Sequence, residues 1–174
     1  DNSPVLVGCS QYLDIKGPDG LNYLDILNIA CEKAIKDCNA KISLNEHLDT
    51  ISVIRFVGDT PNRNSATTSL WGYSNMPRSL GNSLGVTVPH EIYTTTGGNS
   101  PQLLLNEICN RIKDGHINCA LLTGGEALET LTSRIKKEYN FKAYNSRLNE
   151  LSKYIDETLS AGKWSNEKAN TLKR

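Results

Sequence analysis

The stretch Gly97-Gly98-Asn99-Ser100-Pro101-Gln102 separates two unlike parts of the chain. Before it, His90-Glu91-Ile92-Tyr93-Thr94-Thr95 is rich in β-branched and aromatic residues and reads as a strand. After it, Leu105, Ile108, Cys109 and Ile112 recur at three- and four-residue steps, the apolar stripe of a helix. Asp114-Gly115 ends that helix. Asn99 or Ser100 is expected to cap its start, and Pro101 suits its first position. Ile117-Asn118-Cys119-Ala120-Leu121-Leu122-Thr123 then reads as a buried strand that runs into Gly124-Gly125-Glu126.

Working outward, the same alternation holds. Pro4-Val5-Leu6-Val7-Gly8-Cys9 is an almost continuous apolar run, the pattern of a strand buried on both faces. Gly17, Pro18 and Gly20 mark a loop. Residues 21–38 read as a helix whose face carries Leu27, Ala30, Cys31, Ala34, Ile35 and Cys38. Residues 48–57 read as a strand centred on Ile51-Ser52-Val53-Ile54, and residues 58–65 as a loop. A helix over residues 78–84 is predicted, with Pro77 near its first turn and Gly85 at its end. Strand, helix, strand, helix, strand, helix, strand implies an α/β fold with a mostly parallel sheet and helices on both faces. No strand is predicted after Thr123. Residues 1–132 form the α/β domain in this reading. Residues 133–174, rich in Lys, Glu and Asn, form a helical tail or loop-domain segment in which Leu148, Leu151, Ile155 and Leu159 mark an amphipathic helix.

Lys plus Arg and Asp plus Glu each number 19, so the net charge is zero and no electrostatic case exists for nucleic acid or an anionic membrane surface. No apolar run approaches the roughly 20 residues a membrane-spanning helix needs. Cys9, Cys31, Cys38, Cys109 and Cys119 are odd in number, form no Cys-x-x-Cys pair and lie in apolar patterns. They are expected to be small core residues of a cytoplasmic protein. His47, His90 and His116 are scattered, with no zinc-ligand spacing, and no metal is expected.

The turn at Gly97 reads either as a tight strand-to-helix connection with no ligand or as a site for chemistry. A glycine-rich helix start presents backbone N–H groups and the positive end of the helix dipole. Such a place suits an anion, a thioester carbonyl or a cysteine of lowered pKa. It is not a Walker loop, since no Gly-Lys-Ser/Thr follows, and it lacks the Gly-x-Gly-x-x-Gly of dinucleotide sites. The helix start is expected to point into an interior cavity.

Several blocks in order resemble the amino-terminal half of the thiolase superfamily. These are Gly97 to Gln102 with the helix behind it, Asp114-Gly115, the strand from Cys119 to Thr123, and Gly124-Gly125-Glu126. The opening Pro4-Val5-Leu6-Val7-Gly8 with Gln11, and Trp71-Gly72-Tyr73-Ser74-Asn75-Met76-Pro77-Arg78-Ser79-Leu80 followed by Leu84-Gly85, add to the resemblance. It is strongest to thiolase-like and sterol-carrier-type proteins described as acetyl-CoA acetyltransferases, and it covers residues 4–129.

The resemblance implies a thiolase-like half fold, acyl-CoA or CoA as ligand, a place in lipid metabolism, no separate cofactor, and a homodimer through residues 90–95 and the helix after them. It places Gly97, Gly98, Asn99, Ser100, Gly125 and Glu126 at the substrate site. It also puts the family's nucleophilic cysteine at Gly98, which has no side chain and cannot carry an acyl group. No catalytic residue is therefore assigned. Ser100 reads as a helix cap rather than a nucleophile, and Glu126 as a loop carboxylate held by backbone N–H groups. The Gly-His-Pro and Cys-x-Gly motifs of the family's other half are not in this chain. Two function classes remain open: an acyltransferase-like protein acting on acyl-CoA without classical thiolase chemistry, and a non-catalytic acyl-CoA- or lipid-binding or structural subunit.

Overall fold

The computed structural model describes residues 2–41, 43–59 and 73–138. Its centre is a sheet of three parallel strands, β1 (Thr50–Val53), β2 (His90–Tyr93) and β3 (Ala120–Thr123), in the order β2-β1-β3. Thr50 lies level with His90 and Ala120, and Val53 with Tyr93 and Thr123, so all three strands end at one edge. The chain divides into two units, Asp1–Arg134 and Ile135–Arg174. The sequence-predicted helix at Leu148 to Leu159 lies outside the described residues, as does Trp71.

Among the described residues four α-helices alternate with the strands in sequence: α1 (Tyr23–Asp37), α2 (Met76–Leu84), α3 (Ser100–Lys113) and α4 (Leu128–Glu138). The crossovers from β1 to β2 and from β2 to β3 travel in opposite directions across the sheet. Crossovers of one hand must then put their helices on opposite faces. The side chains agree. A Cβ on Gly81 of α2 would lie 3.3 Å from Ile51 Cδ1, and the Thr123 hydroxyl donates to the Cys31 sulfur of α1. On the other face, Leu104, Ile108 and Ile117 form a core against Ile54, Ile92, Ile112, Ala120 and Leu122. Alternation along the strands sorts the two sets. Each fully buried Leu or Ile contributes about 1.5–3 kcal/mol of transfer free energy.

Local chemistry sets the helix ends. Asn22 Oδ1 accepts from the Asp25 N–H to cap α1, whose stripe is Tyr23, Leu27 and Cys31. Asn75 Oδ1 likewise accepts from the Arg78 N–H to cap α2, and Gly85 ends that helix at φ 71, a left-handed position that favours glycine. Asn75 Nδ2 and the Arg78 guanidinium both reach the Glu91 carboxylate, which ties the start of α2 to β2.

Three expectations are corrected. Pro4 to Cys9 forms no strand: Val5, Leu6 and Val7 are 74%, 83% and 56% exposed. The segment runs along α1 instead. The Cys9 N–H donates to Asp37 Oδ2 at 2.9 Å and the Ser10 hydroxyl to the Ala30 carbonyl at 2.5 Å. A Cβ on Gly8 would collide with the Ala34 carbonyl oxygen, so glycine permits this close crossing. Ile108 and Ile112 pack against the core as expected, but Leu104 takes the place of Leu105, which is exposed, because the helix turns its Ser100, Leu104, Ile108 row to the sheet. Of the cysteines only Cys31 is a core residue; Cys9 is exposed with the ribbon that carries it, and Cys38, Cys109 and Cys119 are half-buried. Helix α4 starts at Leu128, ahead of the expected helical tail, and runs into it to Glu138. None of the described helices is long and apolar enough to cross a membrane.

Candidate functional site

Parallel strands bring their following loops to one edge, and open α/β sheets bind ligands there. Here the loops are residues 54–59 after β1, 94–99 after β2 and 124–127 after β3. Two side-chain clips hold them together. Tyr23 of α1 stacks on Phe56 with ring centroids 4.6 Å apart. Its hydroxyl donates to the Ile54 carbonyl at 3.0 Å and accepts from the Gly125 N–H, joining the β1 and β3 loops. Burial raises the Tyr23 pKa far above the ordinary phenol value and keeps it neutral.

The second clip joins β1 to β2. Asp59, only 4% exposed, accepts from the Tyr93 hydroxyl and from the Tyr73 N–H at 3.0 Å. Arg55 Nη1 lies 3.6 Å from the same carboxylate, and its guanidinium sits 3.8 Å from the Tyr93 ring centroid. Burial, reinforced by the Asp59 hydrogen bond and charge, raises the Tyr93 pKa well above its ordinary value. Sequence reasoning missed Tyr23, Arg55, Asp59 and Tyr93. The available signal was their position just at or beyond strand ends, with Tyr23 facing them from the first turn of α1.

The residues that the resemblance selected fall into two groups. Gly97, Gly98, Asn99 and Ser100 form the start of α3, and Gly125 and Glu126 lie in the loop before α4. Gly98 and Asn99 are exposed, and among the described residues no atom lies within 4 Å of a Cβ added at Gly98. Among the described residues none closes the expected interior cavity over the start of α3. Cavities of about 300 Å³ beside Ile35, Leu44 and Asn45, and about 350 Å³ between Pro77 and Glu91, lie away from it.

The expected caps are also corrected. Asn99 occupies the cap position at φ −91, ψ −7, a helical geometry from which its side chain makes no cap bond. Ser100, 5% exposed, donates its hydroxyl to the Thr95 carbonyl at 2.9 Å. That bond points the hydroxyl away from the role of nucleophile. Glu126 Oε1 accepts from the Ala127 and Leu128 N–H groups at 2.7 and 2.8 Å, capping α4. Gly125 packs near Leu27 and Tyr23 of α1. Among the described residues no group of three or more His, Cys, Asp or Glu could hold a metal ion.

Comparison with solved structures finds a match over this framework: a monomeric SCP2-thiolase-like protein type 1 from Mycobacterium smegmatis, at 26% identity and a TM-score of 0.57, covering 72% of this chain. The fold is thiolase-like. The match covers 24% of that protein, so this chain spans about a quarter of its length. No protein-family model and no curated protein matches the chain. Within the thiolase-like frame, the start of α3 at Gly98 is open to an approaching group and carries no nucleophilic side chain.

Proposed function

We propose that this chain binds acyl-CoA or CoA at the start of α3 and does not form a covalent acyl-protein. The observation that carries the reading is Gly98: an exposed glycine next to the first turn of α3, with open space where a side chain would stand. Backbone N–H groups there can receive a thioester carbonyl or an anionic oxygen, with the helix dipole in support. Acyl transfer through a covalent carrier needs a nucleophile. Gly98 offers none, and Ser100 is committed to Thr95. What remains for this geometry is recognition, with polarisation of a thioester carbonyl as the furthest step. A role in cytoplasmic lipid metabolism belongs to the same reading.

Titration calorimetry of the full chain with CoA and acetyl-CoA tests it. Binding is expected, with no mass increase of the protein and no turnover of acetyl-CoA or acetoacetyl-CoA. Absence of binding to both ligands would overturn the reading, and an acylated protein would overturn its non-covalent part. The homodimer is a separate element of the proposal. It would use β2, which is an edge strand, whereas the M. smegmatis protein is monomeric. Light scattering distinguishes the two states.

A further inference from the structure

The loop that leads into α3 is gripped from both sides. From the β1 side, the Arg55 backbone N–H donates to Thr94 Oγ1 at 3.0 Å and Nε donates to the Thr94 carbonyl at 2.9 Å. The guanidinium plane lies over Tyr93, one residue earlier, and Nη1 donates to the Asp59 carbonyl at 3.3 Å. The Asp59 carboxylate holds Tyr93 and Tyr73, so the clip is closed on a buried anchor. From the helix side, the Ser100 hydroxyl donates to the Thr95 carbonyl, and the Ser100 N–H to the Gly97 carbonyl at 3.1 Å. Thr94 and Thr95 are adjacent and are pulled from different elements. Gly97, Gly98 and Asn99 follow that fixed pair after the single residue Thr96.

We infer that Arg55 is a positioning residue: it fixes the β2–α3 loop so that the amide end of α3 at Gly98 and Asn99 is aimed before any ligand arrives. This rests on the reading that these amides receive the ligand. An arginine is needed for the geometry as well as the charge. Its Nε, Nη1 and planar face act at once on Thr94, Asp59 and Tyr93, and a lysine ammonium supplies only a point charge.

The thiol introduced by Gly98→Cys gives a readout that needs no ligand, and the open space at that position admits it. A thiol at a helix start has a depressed pKa. Peptide-resolved alkylation rates across pH measure it separately from the native cysteines. Adding Arg55→Ala or Arg55→Lys is expected to raise the midpoint by about half a pH unit, roughly a threefold slower reaction at neutral pH. Three results would overturn the inference: an ordinary thiol midpoint in the Gly98→Cys parent, a midpoint unmoved by either Arg55 change, or full restoration by lysine, which would show that charge alone acts. If Arg55→Ala does not fold, Arg55→Lys, which loses the Nε donor to the Thr94 carbonyl, carries the test alone with the same expected direction. Failure of the native chain to bind acetyl-CoA with an Arg55-dependent thiol midpoint would overturn the binding reading alone.

Discussion

Two short apolar runs in this chain have similar sequences and opposite fates. Val5-Leu6-Val7 lies exposed along α1, and Ile51-Ser52-Val53 is wholly buried at the centre of the sheet. Apolar patterning records that a segment is suited to burial, not which surface covers it. The difference lies in the partners. β1 has a strand on each side and a helix layer on each face. The amino-terminal ribbon lies along α1, which it meets through Cys9, Ser10 and the close approach at Gly8.

Thiol chemistry separates the two environments most widely. Cys31 lies in the α1 stripe, and burial pushes its thiol up to about 11, only partly offset by the Thr123 hydroxyl. Cys9 sits exposed on the ribbon. Alkylation at neutral pH should label Cys9 at least about a thousandfold faster, because Cys31 reacts only on opening of the core. Comparable rates would place Cys31 outside the core. Stability should follow the same division. Ile51→Ala should cost about 2–5 kcal/mol in chemical denaturation, and Leu6→Ala less than about 0.5 kcal/mol. Equal losses would mean that the ribbon is buried after all.

Smaller effects concern the clips and the sheet edge. Tyr23→Phe should cost about 1–3 kcal/mol, because the Ile54 carbonyl and the Gly125 N–H both lose a partner. The smallest effect is pH-dependent. The Arg78 hydrogen bonds, then Asn75, hold the Glu91 pKa below its ordinary value. A depressed carboxylate stabilises the fold above its unfolded pKa, near 4.5, and that contribution is lost as pH falls through the lower folded value. Thermal melts of Arg78→Ala should therefore show a small loss at pH 7 that shrinks progressively as pH falls below 4.5. A loss that persists at low pH would assign it to packing instead.

The parallel sheet, α1, α2 and α3 were all legible because their signals are local. Leu27 and Cys31 fall on the expected stripe of α1, Pro77 and Gly85 bracket α2, and Ile51 and Val53 sit in a short apolar run. The exposed ribbon was not legible, since its pattern equals that of a buried strand. The side-chain clips were not legible either. Arg55, Asp59 and Tyr93 are separated by up to 38 residues, and only the parallel register of β1 and β2 brings them together. Gly98 could be singled out by resemblance, but its openness needed coordinates.

Amide spectra recorded while the isotope-labelled full chain is titrated with acetyl-CoA address the binding site most directly. The account predicts shifts centred on Gly98, Asn99 and Ser100 that saturate with ligand, while the protein mass stays unchanged. Saturable shifts confined to some other surface, with residues 97–100 silent, would contradict it.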